Sequence, residues 1–373
     1  MAKTNGERGA PSWRWRPLAR RLHRWFGLLA VLWLLPLALT GSAITFYDEL
    51  DRWLNPDWRT VAASDAPPAL DRALMSASQH LPGFTARFLD RPNRADESIT
   101  IVGSAPIDGG EAVSVQLFAD PRDGSLLGWR ETEVLSFDRR HLMDTLYALH
   151  MDLMLGPVMV WILGLMALFW IIDHIIATAL SFPALAKWRA SFAVAGRGFS
   201  LRWLFDLHRA GGLWLFAITF VLAVTSLTLT WHEETRDATR LLVPVSERLH
   251  YAFPVQPVTA PVIGVEQAVA LAGGTVDSVV LLHRYGVYGV RRFDERDMDG
   301  YGRLWVYVSM TDGRLLGSRH DRGEGMGDLF FAWQYPLHSG KGLGLPGRIL
   351  VLLAGLATAG LCITGLWLWW RRR

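Results

Sequence analysis

The chain has 373 residues, 51% of them apolar, with 18 Trp and a mean hydropathy of +0.19. Charged residues make up 20%, against roughly 25% in soluble domains, which argues against an ordinary soluble globule. A net charge of +3 leaves no broad basic stripe for coating nucleic acid, and the one cysteine, Cys362, excludes an intramolecular disulfide, a thiolate zinc cluster and a Cys-x-x-Cys-His haem attachment.

Four uncharged windows are long enough to cross a bilayer core, which needs about 20 apolar residues. They run from Trp25 to Tyr47, Leu153 to Ile172, Ala210 to His232 and Ile349 to Trp370. The first is too long for the apolar part of a signal peptide, and no small-x-small site follows it, so it reads as a permanent span. The expected organisation is a basic cytoplasmic tail (1–24), a first span (25–47), an outer domain (48–149), a second span (150–172), a cytoplasmic loop (173–207), a third span (208–232), a second outer domain (233–345), a fourth span (346–370) and a cytoplasmic tail (371–373). The two tails and the short middle loop together carry 14 Lys and Arg against 3 acids. The outer loops carry 10 against 17 and 12 against 14. This asymmetry predicts both termini on the cytoplasmic side.

The chain repeats itself. Leu22-His23-Arg24 opens the first span and Leu207-His208-Arg209 the third; seventeen residues after each His stands Thr40-Gly41 or Thr225-Ser226. In the outer loops Asp123-Gly124 and Asp312-Gly313 each follow an alternating run and precede a short apolar one, the pattern of a β-hairpin. Each loop also has an upstream helix, Ala69 to His80 and Val265 to Ala272. Tyr147-Ala148-Leu149-His150 precedes the second span and Tyr335-Pro336-Leu337-His338 the fourth. The expectation is two copies of helix, α+β outer domain, helix.

Six of the 11 His lie at span boundaries. If the copies face each other about an axis along the membrane normal, His23 opposes His208 and His150 opposes His338. Opposed imidazoles across a helical bundle are the geometry for bis-His iron protoporphyrin. His174 and His232 have no counterpart and stand as reserve ligands, with Glu233 and Glu234 beside the latter as further iron-ligand candidates. Small residues near these His, among them Gly27, Gly41, Gly212 and Gly344, leave room for a macrocycle or for close helix packing. Arg20, Arg21, Arg24 and Arg209 are candidate propionate partners; Arg139, Arg140, His141 and Lys341 are candidates for propionates or substrate.

These residues resemble the PepSY-associated transmembrane-helix family, and within it the bacterial inner-membrane ferric-siderophore reductases of the ferrioxamine-utilisation type. The likeness rests on Leu22-His23-Arg24-Trp25-Phe26-Gly27 with Leu39-Thr40-Gly41, on Leu207-His208-Arg209, on Leu149-His150 with Leu155-Gly156-Pro157, on Pro336-Leu337-His338-Ser339-Gly340 with Leu343-Gly344, and on Ile363-Thr364-Gly365-Leu366-Trp367. Ser226 departs from the pattern, which has Gly there. The resemblance implies an α-helical integral membrane protein of four transmembrane helices, internally duplicated, with two periplasmic α+β PepSY-like domains. It implies haem b, two per chain, held by His23 and His208 at the inner level and His150 and His338 at the outer level. It also implies an oxidoreductase that takes electrons from a cytoplasmic or quinol donor, reduces a ferric siderophore in the periplasm and releases Fe(II), with no catalytic residue apart from the haem ligands. Membrane lipid is a partner and nucleic acid is not.

Two other readings compete. One is a non-enzymatic regulator whose PepSY-type loops bind a protein while the helices anchor them; it predicts no redox spectrum. The other is a siderophore or iron transporter, which internal repeats suit but which finds few acidic residues in the spans. No Gly-x-x-x-x-Gly-Lys-Ser/Thr pattern marks an ATP motor, and no Gly-x-Gly-x-x-Gly follows a strand on the cytoplasmic side.

Overall fold

The structure is a computed structural model that describes residues 15–182 and 188–373. Residues 1–14 of the expected tail and 183–187 of the expected cytoplasmic loop lie outside the described residues. The chain opens with α1 (Trp15–Ile44), the short helices α2 (Tyr47–Leu54) and α3 (Pro56–Arg59), and α4 (Leu70–His80). Strands β1 (Thr85–Asp90), β2 (Ile99–Pro106), β3 (Ala112–Ala119) and β4 (Leu126–Glu131) follow, then α5 (Leu142–Asp152) and α6 (Pro157–Ser181). After the single turn α7 (Trp188–Ser191), a similar succession runs through α8 (Leu201–Thr230), α9 (His232–Arg240), α10 (Val265–Ala272), β5 (Val276–Leu282), β6 (Val287–Arg292), β7 (Leu304–Ser309) and β8 (Leu315–His320). It closes with α11 (Met326–Ala332), α12 (Gln334–Ser339) and α13 (Gly344–Trp370).

Four of these helices, α1, α6, α8 and α13, are long and apolar enough to cross a membrane. In the bundle, α1 and α8 each pack against both α6 and α13, so α1 faces α8 across the diagonal. The helices run past the hydropathy windows: α1 begins at Trp15, inside the expected tail, and α8 at Leu201, inside the expected cytoplasmic loop. The helix of the second span does not stop at Ile172 but carries Asp173 and His174 within α6, because helical hydrogen bonding continues through a charge that a hydropathy window treats as an end. His150 and His338, expected at the mouths of the second and fourth spans, sit on the separate short helices α5 and α12. The breaks have local causes. Leu153, Met154 and Gly156 take positive φ, the Asp152 carboxylate accepts from the backbone N–H of Met154 (2.8 Å) and Gly156 (3.1 Å), and Pro157 starts the next helix. Gly340 and Gly344, also at positive φ, separate α12 from α13; a side chain at Gly340 would strike the Gly347 carbonyl.

The two loops contribute four strands each to one antiparallel sheet, ordered β4-β3-β2-β1-β5-β6-β7-β8. The halves, expected as two separate domains, join through β1 and β5, with Leu89 opposite Val279 and Asp90 opposite Ser278. Helices α4 and α10 lie on one face, where Leu70, Ala73 and Ala77 meet Ala268 and Ala272 over Leu89, Ile101 and Val279. The Asp71 carboxylate of α4 accepts from the first N–H groups of α10, Val265 (2.6 Å) and Glu266 (3.2 Å), which caps that helix and ties the halves together. Both expected hairpins form, β3–β4 around Asp123-Gly124 and β7–β8 around Asp312-Gly313, each glycine at positive φ.

The other face is tied to the chain leaving the first span. Arg130 of β4 is buried and donates to Asp51 Oδ1 of α2 (2.8 Å), to Gln116 Oε1 (2.9 Å) and to the Tyr47 hydroxyl (3.0 Å). Asp51 is itself fully buried. At the sheet's centre, burial and the nearby Asp277 carboxylate push the Asp90 carboxyl up to about 7.

Candidate functional site

His23 and His208 stand on the diagonal helices α1 and α8 with ring centres 6.2 Å apart. His150 and His338 stand on α5 and α12 with ring centres 6.1 Å apart. Both pairings expected from the repeat are therefore brought together. His150 packs against Gly41 of α1, and eighteen residues of α1 separate Gly41 from His23. At about 1.5 Å rise per residue the two pairs lie roughly 27 Å apart along the helix.

Each ring is held by one nitrogen. His23 Nδ1 lies 2.9 Å from Asp173 Oδ1 and 3.0 Å from Oδ2. His208 Nδ1 lies 3.0 Å from Thr364 Oγ1, and His338 Nδ1 lies 2.9 Å from Thr225 Oγ1. His150 Nδ1 lies 3.0 Å from the Leu37 carbonyl and 3.4 Å from Thr40 Oγ1. The threonine hydrogens are already committed within their helices, Thr364 to Gly360 O and Thr225 to Val221 O, both at 2.9 Å. A hydroxyl has one hydrogen, so these oxygens can only accept, and the imidazole must donate from Nδ1. A carboxylate or carbonyl partner imposes the same tautomer on His23 and His150. All four rings thus carry their proton on Nδ1 and present the Nε2 lone pair. No hydrogen bond reaches any of these Nε2 atoms among the described residues.

That arrangement fits haem. An imidazole nitrogen bonds a first-row metal at about 2.0 Å, and ring centres 6.2 and 6.1 Å apart leave room for one metal ion between each pair of rings. A ligand His that donates its other nitrogen to a fixed acceptor is also the usual supporting arrangement. The surroundings are cut to suit. A Cβ at Gly41 would come 2.6 Å from His150 Cε1, and one at Gly365 would come 3.1 Å from His208 Cε1. One turn in from each far-end histidine, Gly27 and Gly212 border open space, with nothing within 4 Å of where a Cβ would stand. Other glycines serve plain packing: Gly355 lies against Ser42 and Ala38 of α1.

Asp173 escaped the sequence reading. Its carboxylate in an apolar helix costs about 2.5–3.5 kcal/mol at mid-span unless partnered, and the His23 ring is that partner. The available signal was the acid itself, one residue before His174 at the edge of an apolar run.

The reserve ligands fall elsewhere. His174 has both nitrogens engaged, Nδ1 with the Trp170 carbonyl (2.8 Å) and Nε2 with Thr219 Oγ1 (2.9 Å), and so joins α6 to α8. His232 opens α9 with its ring against Phe331 and faces no second histidine. Among the described residues no cluster of three or more ligating side chains forms around it, with or without Glu233 and Glu234. Of the candidate arginines, Arg209 is bound to Asp206 and to the Ser191 carbonyl, while Arg20, Arg21 and Arg24 are exposed. Arg139 and Arg140 pair with Asp57, and His141 pairs with Asp138. Lys341 meets the Tyr301 hydroxyl and lies over its ring. One turn from His338, Tyr335 joins Arg291, Tyr301 and Arg303 around an open cleft of about 200 Å³.

These features sit in a chain that a family model, PepSY-associated TM region, matches over residues 20–372. The chain belongs to that family and is membrane-embedded. Comparison with curated proteins finds no match.

Proposed function

We propose that the protein is a haem-containing ferric-siderophore reductase of the bacterial inner membrane. Both termini would be cytoplasmic and the sheet periplasmic, built from two duplicated PepSY-like halves. The observation that carries this reading is the two opposed histidine pairs, one within the four-helix bundle on α1 and α8 and one at its sheet-side end on α5 and α12, each ring fixed through Nδ1 with no hydrogen bond at Nε2 among the described residues. His23 with His208 and His150 with His338 would each hold one haem b. When bound, the two haems supply one-electron chemistry between a cytoplasmic or quinol donor and an Fe(III) chelate.

The chain's own residues then do three things. The Leu37 carbonyl, Thr225, Thr364 and Asp173 fix tautomer and ring orientation. The apolar bundle, with Ala30, Trp33, Leu34 and Leu163 at its middle, excludes water between the two pairs. Arg291, Tyr301, Arg303 and Tyr335 line a cleft one turn from His338; Arg303 is already held by Asp299 and Asp321 and Arg291 Nε by the Gly302 carbonyl, so the terminal N–H groups of Arg291 would be the donors that meet the oxygen-rich surface of a ferric chelate. Fe(III) prefers hard oxygen donors and Fe(II) is held less tightly by them, so electron delivery loosens the metal without a protein acid or base.

The test is direct. Reduced protein in detergent is mixed anaerobically with a ferric trihydroxamate and a coloured Fe(II) trap. Haem reoxidation in step with Fe(II) capture supports the proposal. Reduced haem that persists beside intact chelate contradicts it.

A further inference from the structure

The four histidines share one geometry but not one charge. His150, His208 and His338 donate from Nδ1 to neutral oxygens, whereas His23 donates to a carboxylate. Thr364 on α13 and Asp173 on α6 play the same part toward the two members of one pair, from helices on opposite sides of it. The Asp173 side chain is 12% exposed, and among the described residues its one ion pair is with His23. Its charge is therefore directed onto that imidazole.

We propose that Asp173 is a positioning residue that lowers the reduction potential of the His23–His208 site below that of the His150–His338 site. The inference rests on the haem reading above. A carboxylate accepting from Nδ1–H makes Nε2 a stronger electron donor, and its charge favours ferric over ferrous iron at that ligand. Neutral hydroxyl and carbonyl acceptors do so less. One electron from a quinol, which over two turns becomes quinone and releases two protons, then runs downhill from the far end of the bundle to the sheet end. There it reduces Fe(III) to Fe(II), and no bond forms or breaks in the protein.

An optical redox titration of the full chain in detergent tests this. The wild type should show two midpoints. Asp173→Asn keeps the size and an acceptor oxygen; it should raise the lower midpoint, leave the upper one in place and retain both haems. Should that variant lose one haem, Thr364→Asp gives the converse test, since a carboxylate on His208 should lower the same midpoint further. Haem bound in full with neither variant moving the lower midpoint overturns this inference alone, as does movement of the upper midpoint instead. A wild type without haem overturns it together with the reading it rests on.

Discussion

The Thr225 hydroxyl oxygen and His338 Nδ1 are 2.9 Å apart, and the threonine's only hydrogen is spent on the Val221 carbonyl. His338 must therefore donate, and its Nε2 is left as a lone pair on a ring whose centre lies 6.1 Å from that of His150. Thr225→Val keeps the shape and removes the acceptor. The expected outcome is a haem affinity about 10–100-fold weaker at the sheet-side pair, with Thr225→Ser restoring it. Haem titration of apo-protein followed at the Soret band measures both.

Gly41 and Ser226 stand at the same spacing after His23 and His208 but differ in tolerance. A methyl group at Gly41 would sit 2.6 Å from His150 Cε1, too close for the ring to keep its place. Gly41→Ala should cut haem from two to one per chain, and Ser226→Gly should leave two. A pyridine haemochrome count on purified variants decides.

Asp51 and Arg130 are both buried and bonded to each other, and they fasten the exit of α1 to the sheet. Removing one partner leaves a charge in the interior, at a cost of about 3–5 kcal/mol. Asp51→Ala should lower the melting temperature sharply, and Asp51→Ala with Arg130→Met should recover part of the loss. Differential scanning calorimetry in detergent compares them. Equal melting of wild type and the single variant would contradict the role given to this pair.

Asp90, on the seam between the two halves of the sheet, gives a pH dependence of known sign. Its carboxyl is pushed up to about 7 by burial and by Asp277, against about 3.9 in an unfolded chain. Between those values the folded form holds a proton that the unfolded form lacks, so stability falls as pH rises from about 4 to 7. Asp90→Asn should flatten that fall, which makes the variant more stable than the wild type at pH 8 and not at pH 4. Melting curves across this range show it; parallel curves for the two proteins would contradict it.

The histidine pairs were legible because His23 and His208, and His150 and His338, stand in similar sequence contexts at a nearly constant offset. The hairpins were legible because Asp-Gly turns and alternation are local signals. The β1–β5 seam was not legible, since Leu89 and Val279 pair across about half the length of the chain and no short pattern encodes that contact. His150 was expected on the second span because a hydropathy window cannot see the turn from Leu153 to Gly156, which depends on Asp152 and on positive φ. Asp173 was missed for a related reason. Charge ended the window, while the helix ran on and turned that charge toward His23.

The central claim is that the two histidine pairs each hold a haem. The dithionite-reduced minus oxidised absorption spectrum of the purified full chain, with haem counted per chain after expression under confirmed haem supply, tests it most directly. Two b-type haems are expected, falling to one in His150→Ala or His338→Ala and to the other one in His23→Ala or His208→Ala. A wild-type chain that is folded, expressed with haem in excess and free of any haem spectrum would contradict it.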